Sequence, residues 1–136
     1  MKGKDCGLIF LRIGLGVVFI MHGSQKLFGA FGGGGISGTA QFLDGLGFPI
    51  VTFFAWVLAL VEFLGGIGIL VGVLIRTFSF LIMIDMFLAF LLVHVKNGFF
   101  LANRGYEFVF MLFFAALAIF LMKSKKVSLS KSEKKE

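Results

Sequence analysis

Cysteine, proline and charged residues are all scarce in this sequence. Its 136 residues include one Cys, one Pro and 15% charged residues, against 59% hydrophobic residues and 20 Phe. A lone cysteine, Cys6, excludes an intrachain disulfide and a CxxC redox pair. The low charge beside so much Phe excludes an ordinary soluble domain, and the mean hydropathy of +1.04 indicates a membrane protein.

Motifs for nucleotides, metals and nucleic acids are missing as well. The glycine-rich stretch from Gly29 to Gly38 has no preceding strand and no GK[ST] sequence, so it is not a phosphate-binding loop. No metal motif is present, and we predict no metal site. The basic residues flank apolar runs without interleaved aromatics, so we expect no nucleic-acid partner.

Four long apolar runs are what the sequence does contain. Each is close to the length that a membrane-spanning helix needs, roughly 17 to 25 residues. Backbone groups in lipid must bond within their own segment, so each run predicts a helix. The predicted fold class is all-α, an integral membrane four-helix bundle with a short interfacial helix between its first two spanning helices. The runs are residues 8–28, 51–74, 77–95 and 106–122.

Positive charge is concentrated at both ends of the chain. Lys2 and Lys4 precede the first run, and residues 123–136 hold six lysines against two glutamates. The positive-inside rule therefore places both termini in the cytoplasm, with the protein in the inner (plasma) membrane. Arg12 interrupts the first run and no A-x-A-like cleavage site follows, so we expect no signal peptide. We expect residues 1–122 to form the membrane domain and residues 123–136 a disordered basic tail.

Three ionisable residues lie deep within the apolar runs: Arg12, Glu62 and Asp85. A charge at the bilayer centre costs on the order of 3 kcal/mol, so such residues are expected to pair or to serve a function. Their depths would allow Arg12 to pair with Asp85 or Glu62. The excess negative charge then requires either a protonated carboxyl or a further cation such as Lys26. Arg12, Glu62 and Asp85 therefore either form ion pairs that hold the helices together or belong to a functional site.

A second polar group is expected nearer the outer face. The candidates for ligand binding or proton relay are His22, Lys26, His94 and Glu107, and the outer-loop candidates are Gln41, Asn97 and Arg104. His22 and Lys26 share one helix face because they are four residues apart. Asp85 and His94 are nine residues apart, so they point to opposite faces of a straight helix. Either the helix bends, or His94 faces a different neighbour.

The outer group is suited to a quinone. A quinone carbonyl needs a hydrogen-bond donor, and its reduction needs a proton from a group that titrates near neutrality, such as histidine. Two histidines at similar depth are also the ligands of a bis-histidine haem. Histidines in membrane proteins often serve only as hydrogen-bonding groups, so we do not expect haem. The residues alone leave the cofactor open.

Read in order, these motifs resemble the DoxX family of small membrane proteins over residues 7–122. The family is a four-helix membrane fold, and it includes a subunit linked to quinone-dependent oxidation of sulfur compounds. The resemblance therefore implies the fold and a connection to redox chemistry. The matching elements are Leu11-Arg12, Phe19 to Leu27, the glycine loop, Gly47-Phe48-Pro49, Glu62 to Gly66, Gly72, Arg76, His94, Asn97 to Phe100 and Gly105-Tyr106-Glu107.

Three functional hypotheses follow. The first is an accessory subunit of a quinone-linked oxidoreductase system, in contact with lipid and with a redox partner protein. The second is a non-enzymatic binding or assembly protein that uses the glycine loop and the tail. The third is a small-solute or proton transporter, which would need a homo-oligomer because four short helices make a poor conduit.

Overall fold

A computed structural model describes residues 3–122, and within this range every regular element is helical. The prediction of a disordered tail at residues 123–136 lies outside the described residues. Five α-helices are joined by short connections. They are α1 (Gly3–Phe28), α2 (Gly35–Gly45), α3 (Val51–Val71), α4 (Ile75–Ala89) and α5 (Glu107–Leu121).

Three of the long helical segments are apolar and long enough to cross a membrane: Cys6–Phe28, Val51–Val71 and Ile75–Asn97. The third is longer than α4 because α4 continues into a π-helical turn, Phe90–His94, and a 3₁₀ turn, Val95–Asn97. The all-helical membrane fold expected from the apolar runs is thus confirmed. The short helix predicted between the first two runs is also present, as α2.

The remaining apolar helix, α5, has 15 residues, a length of about 22 Å. It runs antiparallel to α4 along the length of that helix. Ring pairs record this register: Tyr106 packs on Phe90 at 5.0 Å, Phe113 on Phe87 at 6.5 Å, and Phe120 on Phe80 at 5.8 Å between centroids. α5 therefore packs along the length of α4, which is compatible with the predicted four-helix bundle, although α5 is shorter than the three candidate spans.

The four long helices form a closed ring in which α1 packs on α3, α3 on α4, α4 on α5, and α5 on α1. One end of this ring, the termini end, holds the start of α1, the α3–α4 turn and the end of α5. The other end, the loop end, holds α2 and the α4–α5 connection. The interior is filled by apolar side chains, including Leu15, Phe19, Ile69, Ile82 and Ile119.

Glycine allows α1 and α3 to cross closely. A Cβ added at Gly66 would lie 2.6 Å from the backbone nitrogen of Ile20 and 2.8 Å from the carbonyl oxygen of Gly16. Small residues are what membrane helices use to bring their backbones together. This crossing fixes the depth at which the polar side chains of α1 and α3 meet.

Candidate functional site

A polar cavity lies between α1, α3, α4 and α5, in the half of the bundle nearer the loop end. Its volume is about 320 Å³. Five of the ionisable residues singled out in the sequence line it, namely His22, Lys26, Glu62, Asp85 and His94. We call it the polar cavity; its apolar walls include Phe19, Met86, Phe108 and Leu112.

Glu62 and Lys26 form the ion pair of the polar cavity. The Lys26 ammonium donates to Glu62 Oε2 at 2.6 Å, and the two side chains are 24% and 5% exposed. Glu62 is held in place by its position midway along α3, where that helix faces α1 and α4. Lys26, which the sequence suggested as a further cation for the buried carboxyls, is therefore the partner of Glu62.

Asp85 supplies a second carboxyl to the polar cavity from the third turn of α4. Its Oδ2 is buried, and no N–H or hydroxyl group of residues 3–122 donates to it, but the Asp85 carboxyl lies within hydrogen-bonding reach of the Glu62 carboxyl. Two adjacent carboxyls can share one proton, so Asp85 and Glu62 form a coupled pair beside Lys26. The carboxyl lies near enough to Glu62 and Lys26 to interact with both charges.

Arg12 lies elsewhere, at the C-terminus of α3. Its Nε donates to the carbonyl oxygen of Ile69 at 2.8 Å, and its Nη2 to that of Leu70 at 3.1 Å. The last carbonyls of a helix have no partner within the helix and carry partial negative charge, so a guanidinium is well placed there. The structure thus separates Arg12 from Glu62 and Asp85, in contrast to the three-residue group expected from their depths.

Gly72 makes room for this arrangement. It ends α3 with a φ of +91°, and its N–H donates to the Gly68 carbonyl at 2.9 Å. A Cβ at this position would collide with the guanidinium of Arg12. Gly68 packs on Phe78, and Gly72 accommodates the guanidinium of Arg12.

A π-helical turn resolves the question of how Asp85 and His94 relate. At 100° per residue, nine residues of α-helix would place them 180° apart. The π turn Phe90–His94 accommodates one extra residue, so the offset falls to about 80°. Both side chains therefore line the polar cavity. Single π turns of this kind occur frequently at functional sites.

His94 is oriented by the connection between α4 and α5. Its Nδ1 lies 2.8 Å from the carbonyl oxygen of Arg104. A carbonyl only accepts, so Nδ1 carries the proton and, in the neutral ring, Nε2 is the acceptor. Asn97 Nδ2 donates to the same carbonyl at 3.2 Å and to that of Val93 at 3.4 Å.

The remaining candidates lie outside the polar cavity. Glu107 begins α5, and its Oε1 accepts the backbone N–H of Leu101 at 2.6 Å, so it stabilises the connection. Arg104 is exposed and contributes its carbonyl, from a backbone with a φ of +60°. Gln41 is an exposed residue of α2. Asn97, Arg104 and Glu107 therefore stabilise the α4–α5 connection that orients His94. They do not line the polar cavity.

Comparison with known proteins agrees with this architecture. The model of the DoxX family matches residues 7–95, which is more than half of the chain. The chain belongs to the DoxX family. The matched range contains all five ionisable residues of the polar cavity, because it extends from the start of α1 to just past His94.

A curated relative of this DoxX protein comes from Bacillus subtilis (strain 168) and is called "Putative oxidoreductase CatD". The two are 29% identical over 135 residues, which cover 92% of this chain and 94% of the relative. No solved structure matches the chain.

Some residues of the DoxX protein's site carried no signal in the sequence. Phe108 lines the polar cavity, and the centroid of its ring lies 6.4 Å from that of His22. As one of 20 Phe, it did not stand out in the sequence. Phe42, from α2, also lines the cavity. Neither could be distinguished from a lipid-facing Phe, because no alternation of polar and apolar residues marks the inward face of such helices.

Proposed function

We propose that this DoxX protein is an accessory membrane subunit of a quinone-linked oxidoreductase system, and that the polar cavity binds the quinone ring. The observation that carries the proposal is the gathering of two imidazoles, two carboxyls and an ammonium in one cavity between membrane helices. The "oxidoreductase" in the relative's name supports a redox role and says nothing of its substrate.

The donor set of the polar cavity fits a quinone. The ring carbonyls of a quinone accept hydrogen bonds, which Lys26 and His22 can donate. The reduced ring carries hydroxyls, which can donate hydrogen bonds to the carboxyl oxygens of Asp85. A bound quinone accepts two electrons, which a redox partner protein would supply, and two protons.

The residues of the polar cavity would provide these protons. The imidazoles of His22 and His94 and the carboxyls of Glu62 and Asp85 are the groups of the cavity that can donate and accept protons. The Lys26–Glu62 pair keeps a positive charge beside the ring. The cavity thus supports binding and proton delivery, while electron transfer belongs to the partner.

Equilibrium binding tests the proposal. Purified protein in lipid nanodiscs is titrated with a tail-free benzoquinone or naphthoquinone, and mass spectrometry of the untreated protein identifies co-purified quinone. We expect one site per chain. His22→Ala should weaken binding of the quinone about tenfold or more, because it removes a donor to a ring carbonyl, and Asp85→Ala should weaken binding of the corresponding quinol by a similar factor, because it removes the acceptor of a ring hydroxyl.

Gln41→Ala is the matched control for this titration. It removes an exposed polar side chain that lines no cavity, so affinity should stay at the wild-type value. Absence of saturable binding, or equal affinity in all three variants and the wild type, contradicts the proposal. An absorption band of haem in the purified protein would also contradict it, since two histidines of one cavity would then be metal ligands.

We also propose that the protein lies in the inner membrane with both termini in the cytoplasm. The antiparallel packing of α5 on α4, which brings the start of α1 and the end of α5 to one end of the bundle, and the lysines at both ends of the sequence support this orientation. The loop end of the bundle, and with it the side of the membrane nearer the polar cavity, then faces outward.

A further inference from the structure

The polar cavity contains more acidic groups than basic ones. The carboxyls of Glu62 and Asp85 line it together with one ammonium, that of Lys26, which donates to Glu62 Oε2 at 2.6 Å. An unpaired charge inside a membrane is costly, and two carboxylates beside one ammonium would leave a net negative charge there. This balance favours one ionised carboxyl and one that carries a proton.

The contacts of the two carboxyls show where this proton lies. The Asp85 side chain is hydrogen-bonded to that of Glu62. An ionised carboxyl only accepts hydrogen bonds, so this contact requires a proton between the two groups. Lys26 holds the negative charge on Glu62, so Asp85 is the acid that donates. In agreement, no N–H or hydroxyl group of residues 3–122 donates to the buried Oδ2 of Asp85, as a carboxylate oxygen would require.

Two histidines are the groups that can exchange this proton. Around Asp85, α1 contributes His22 and Lys26, α3 contributes Glu62, and α4 contributes His94. The side chains that α2 and α5 contribute to the cavity are apolar: Phe42, Phe108, Val109 and Leu112. Of the two histidines, His94 is nearer the loop end. It lies in the last turn of the helical segment Ile75–Asn97, whereas His22 lies more than one turn before the end of α1 at Phe28.

His94 is also held in a suitable orientation for proton exchange. Its Nδ1 donates to the carbonyl oxygen of Arg104 at 2.8 Å, so Nε2 is the nitrogen that can gain and lose a proton. The π turn places this ring and Asp85 in one cavity. Toward the termini end, the interior is filled by apolar side chains such as Leu15 and Ile69, which cannot carry a proton. The polar cavity is therefore reached by protons from the loop end.

We propose that the Glu62–Asp85 pair stores one proton, which Asp85 carries, and that this proton exchanges with water at the loop end through His94. In the loading step, the N–H bond at His94 Nε2 breaks as an O–H bond forms on Asp85, and no electron is transferred. The proposal goes beyond the proposed function because it does not require a quinone. The pair would serve any ligand of the polar cavity that takes up a proton.

Infrared spectroscopy of the protein in lipid nanodiscs tests the stored proton. A protonated carboxyl has a C=O stretch that is separate from the carboxylate bands and that shifts in D₂O. We expect one such band near neutral pH in the wild type and none in Asp85→Asn. The asparagine amide can still donate to Glu62, so Asp85→Asn should keep the melting temperature of the wild type.

Asp44→Asn is the matched control for the carboxyl band. It makes the same chemical change at an exposed residue of α2 that does not line the polar cavity, so the band should remain. Absence of the band in the wild type overturns the proposal without reference to any variant. A band that persists in Asp85→Asn also overturns it, since the proton would then belong to another group.

The rate of deuteration tests the route through His94. After transfer into D₂O, the shift of the carboxyl band is followed in time. His94→Gln should slow it about tenfold or more, because an amide can still donate to the Arg104 carbonyl but cannot relay a proton. Lys96→Met is the matched control, since Lys96 is an exposed, ionisable neighbour that does not line the polar cavity. It should leave the rate unchanged, and an unchanged rate in His94→Gln would overturn the route.

These results are independent of the quinone titration. A carboxyl band that depends on Asp85 and a deuteration rate that depends on His94 support the proton store even if no quinone binds. Loss of either result overturns the inference even if quinone binds, and the proposed function then stands without it.

Discussion

At Lys26, a single ammonium balances the charge of the polar cavity. It donates to Glu62 Oε2 while Asp85 lies close to both. Removing one partner of a buried ion pair leaves an uncompensated charge, which is costlier than removing both. The pair therefore stabilises the bundle as well as shaping the cavity.

We expect Lys26→Met to lower the free energy of unfolding by about 3 kcal/mol, because it leaves Glu62 buried without its cation. Lys26 is partly exposed, so its own burial adds little. Titration with a denaturing detergent, followed by circular dichroism, measures the loss. The double variant Lys26→Met/Glu62→Gln should recover much of it. Losses that simply add in the double variant would show that the two side chains do not interact.

The contact between Gly72 and Arg12 gives a second prediction at this scale. Gly72→Ala should destabilise the protein by more than the roughly 1 to 2 kcal/mol that a left-handed backbone costs an alanine, because the methyl group also displaces the guanidinium. In an Arg12→Ala background, Gly72→Ala should cost only the free energy of placing alanine in the left-handed conformation. The measurement is the free energy of unfolding of the wild type, the two single variants and the double variant.

Gly14→Ala is the control for this cycle. Gly14 lies within α1, and a Cβ there meets nothing within 4 Å, so alanine should be neutral or slightly stabilising. An equal cost of Gly72→Ala with and without Arg12 would contradict the proposed role of Gly72.

Which ionisable residues lie in the membrane could be predicted, but their partners could not. Depth along a straight helix placed Arg12 with Glu62 and Asp85. The long side chains of Arg12 and Lys26 each reach several ångströms along the helix axis, so depth at the Cα does not decide the partner. The α1–α3 crossing at Gly16 and Gly66 sets the register that pairs Lys26 with Glu62.

Among the helices, the π turn after α4 has the largest consequence for the site. It places His94 and Asp85 in the same cavity, and the α4–α5 connection then fixes the His94 ring through Arg104. A π turn behaves as one residue inserted into an α-helix, so removing one residue restores the regular helix without rotating its flanks.

Deletion of Leu91, an exposed residue of the π turn, should therefore preserve the fold and lower the melting temperature only slightly. Deletion of Ile84, equally exposed but within regular α4, should rotate the rest of that helix by about 100° and prevent folding. Size-exclusion profiles and melting curves in detergent distinguish the two. Equal damage from both deletions would show that the π turn does not act as an inserted residue.

The extent of each helix was largely predictable from apolar runs, since length and hydropathy are local properties. The π turn was not, because its residues, Phe90–His94, read as an ordinary apolar helix. The sequence offered only an indirect signal: the separation of nine residues between Asp85 and His94 required either a distortion or different neighbours. Tertiary packing selected the distortion.

For the whole molecule, the bundle has two ends of different character. The termini end carries Arg12 on the carbonyls of α3 and Arg76 over the ring of Phe120 at 5.6 Å. The loop end carries α2 and the scaffold of His94. Arg12 and Arg76 agree with the proposed orientation, since the positive-inside rule places arginines at the cytoplasmic ends of spans, whereas Lys96 and Arg104 at the loop end run against that rule.

Labelling with a membrane-impermeant maleimide tests that orientation. In a Cys6→Ser background, Ser124→Cys should react only in inverted vesicles, and Phe31→Cys, in the connection between α1 and α2, should react in intact cells. The two reporters control for each other, because α3, α4 and α5 separate them along the chain. Labelling of both from the same side would mean that an even number of these three helices crosses the membrane.

The sequence by itself determined a helical membrane protein of the DoxX family and the set of ionisable residues that its membrane segments must accommodate. These follow from hydropathy, spacing and residue type, which are properties of the chain alone. Only the tertiary structure decided that Glu62, Asp85, His22, Lys26 and His94 share one cavity, that Arg12 caps α3, and that Glu107 stabilises a connection. Those outcomes depend on where helices cross and turn, which is set by contacts between residues far apart in the chain.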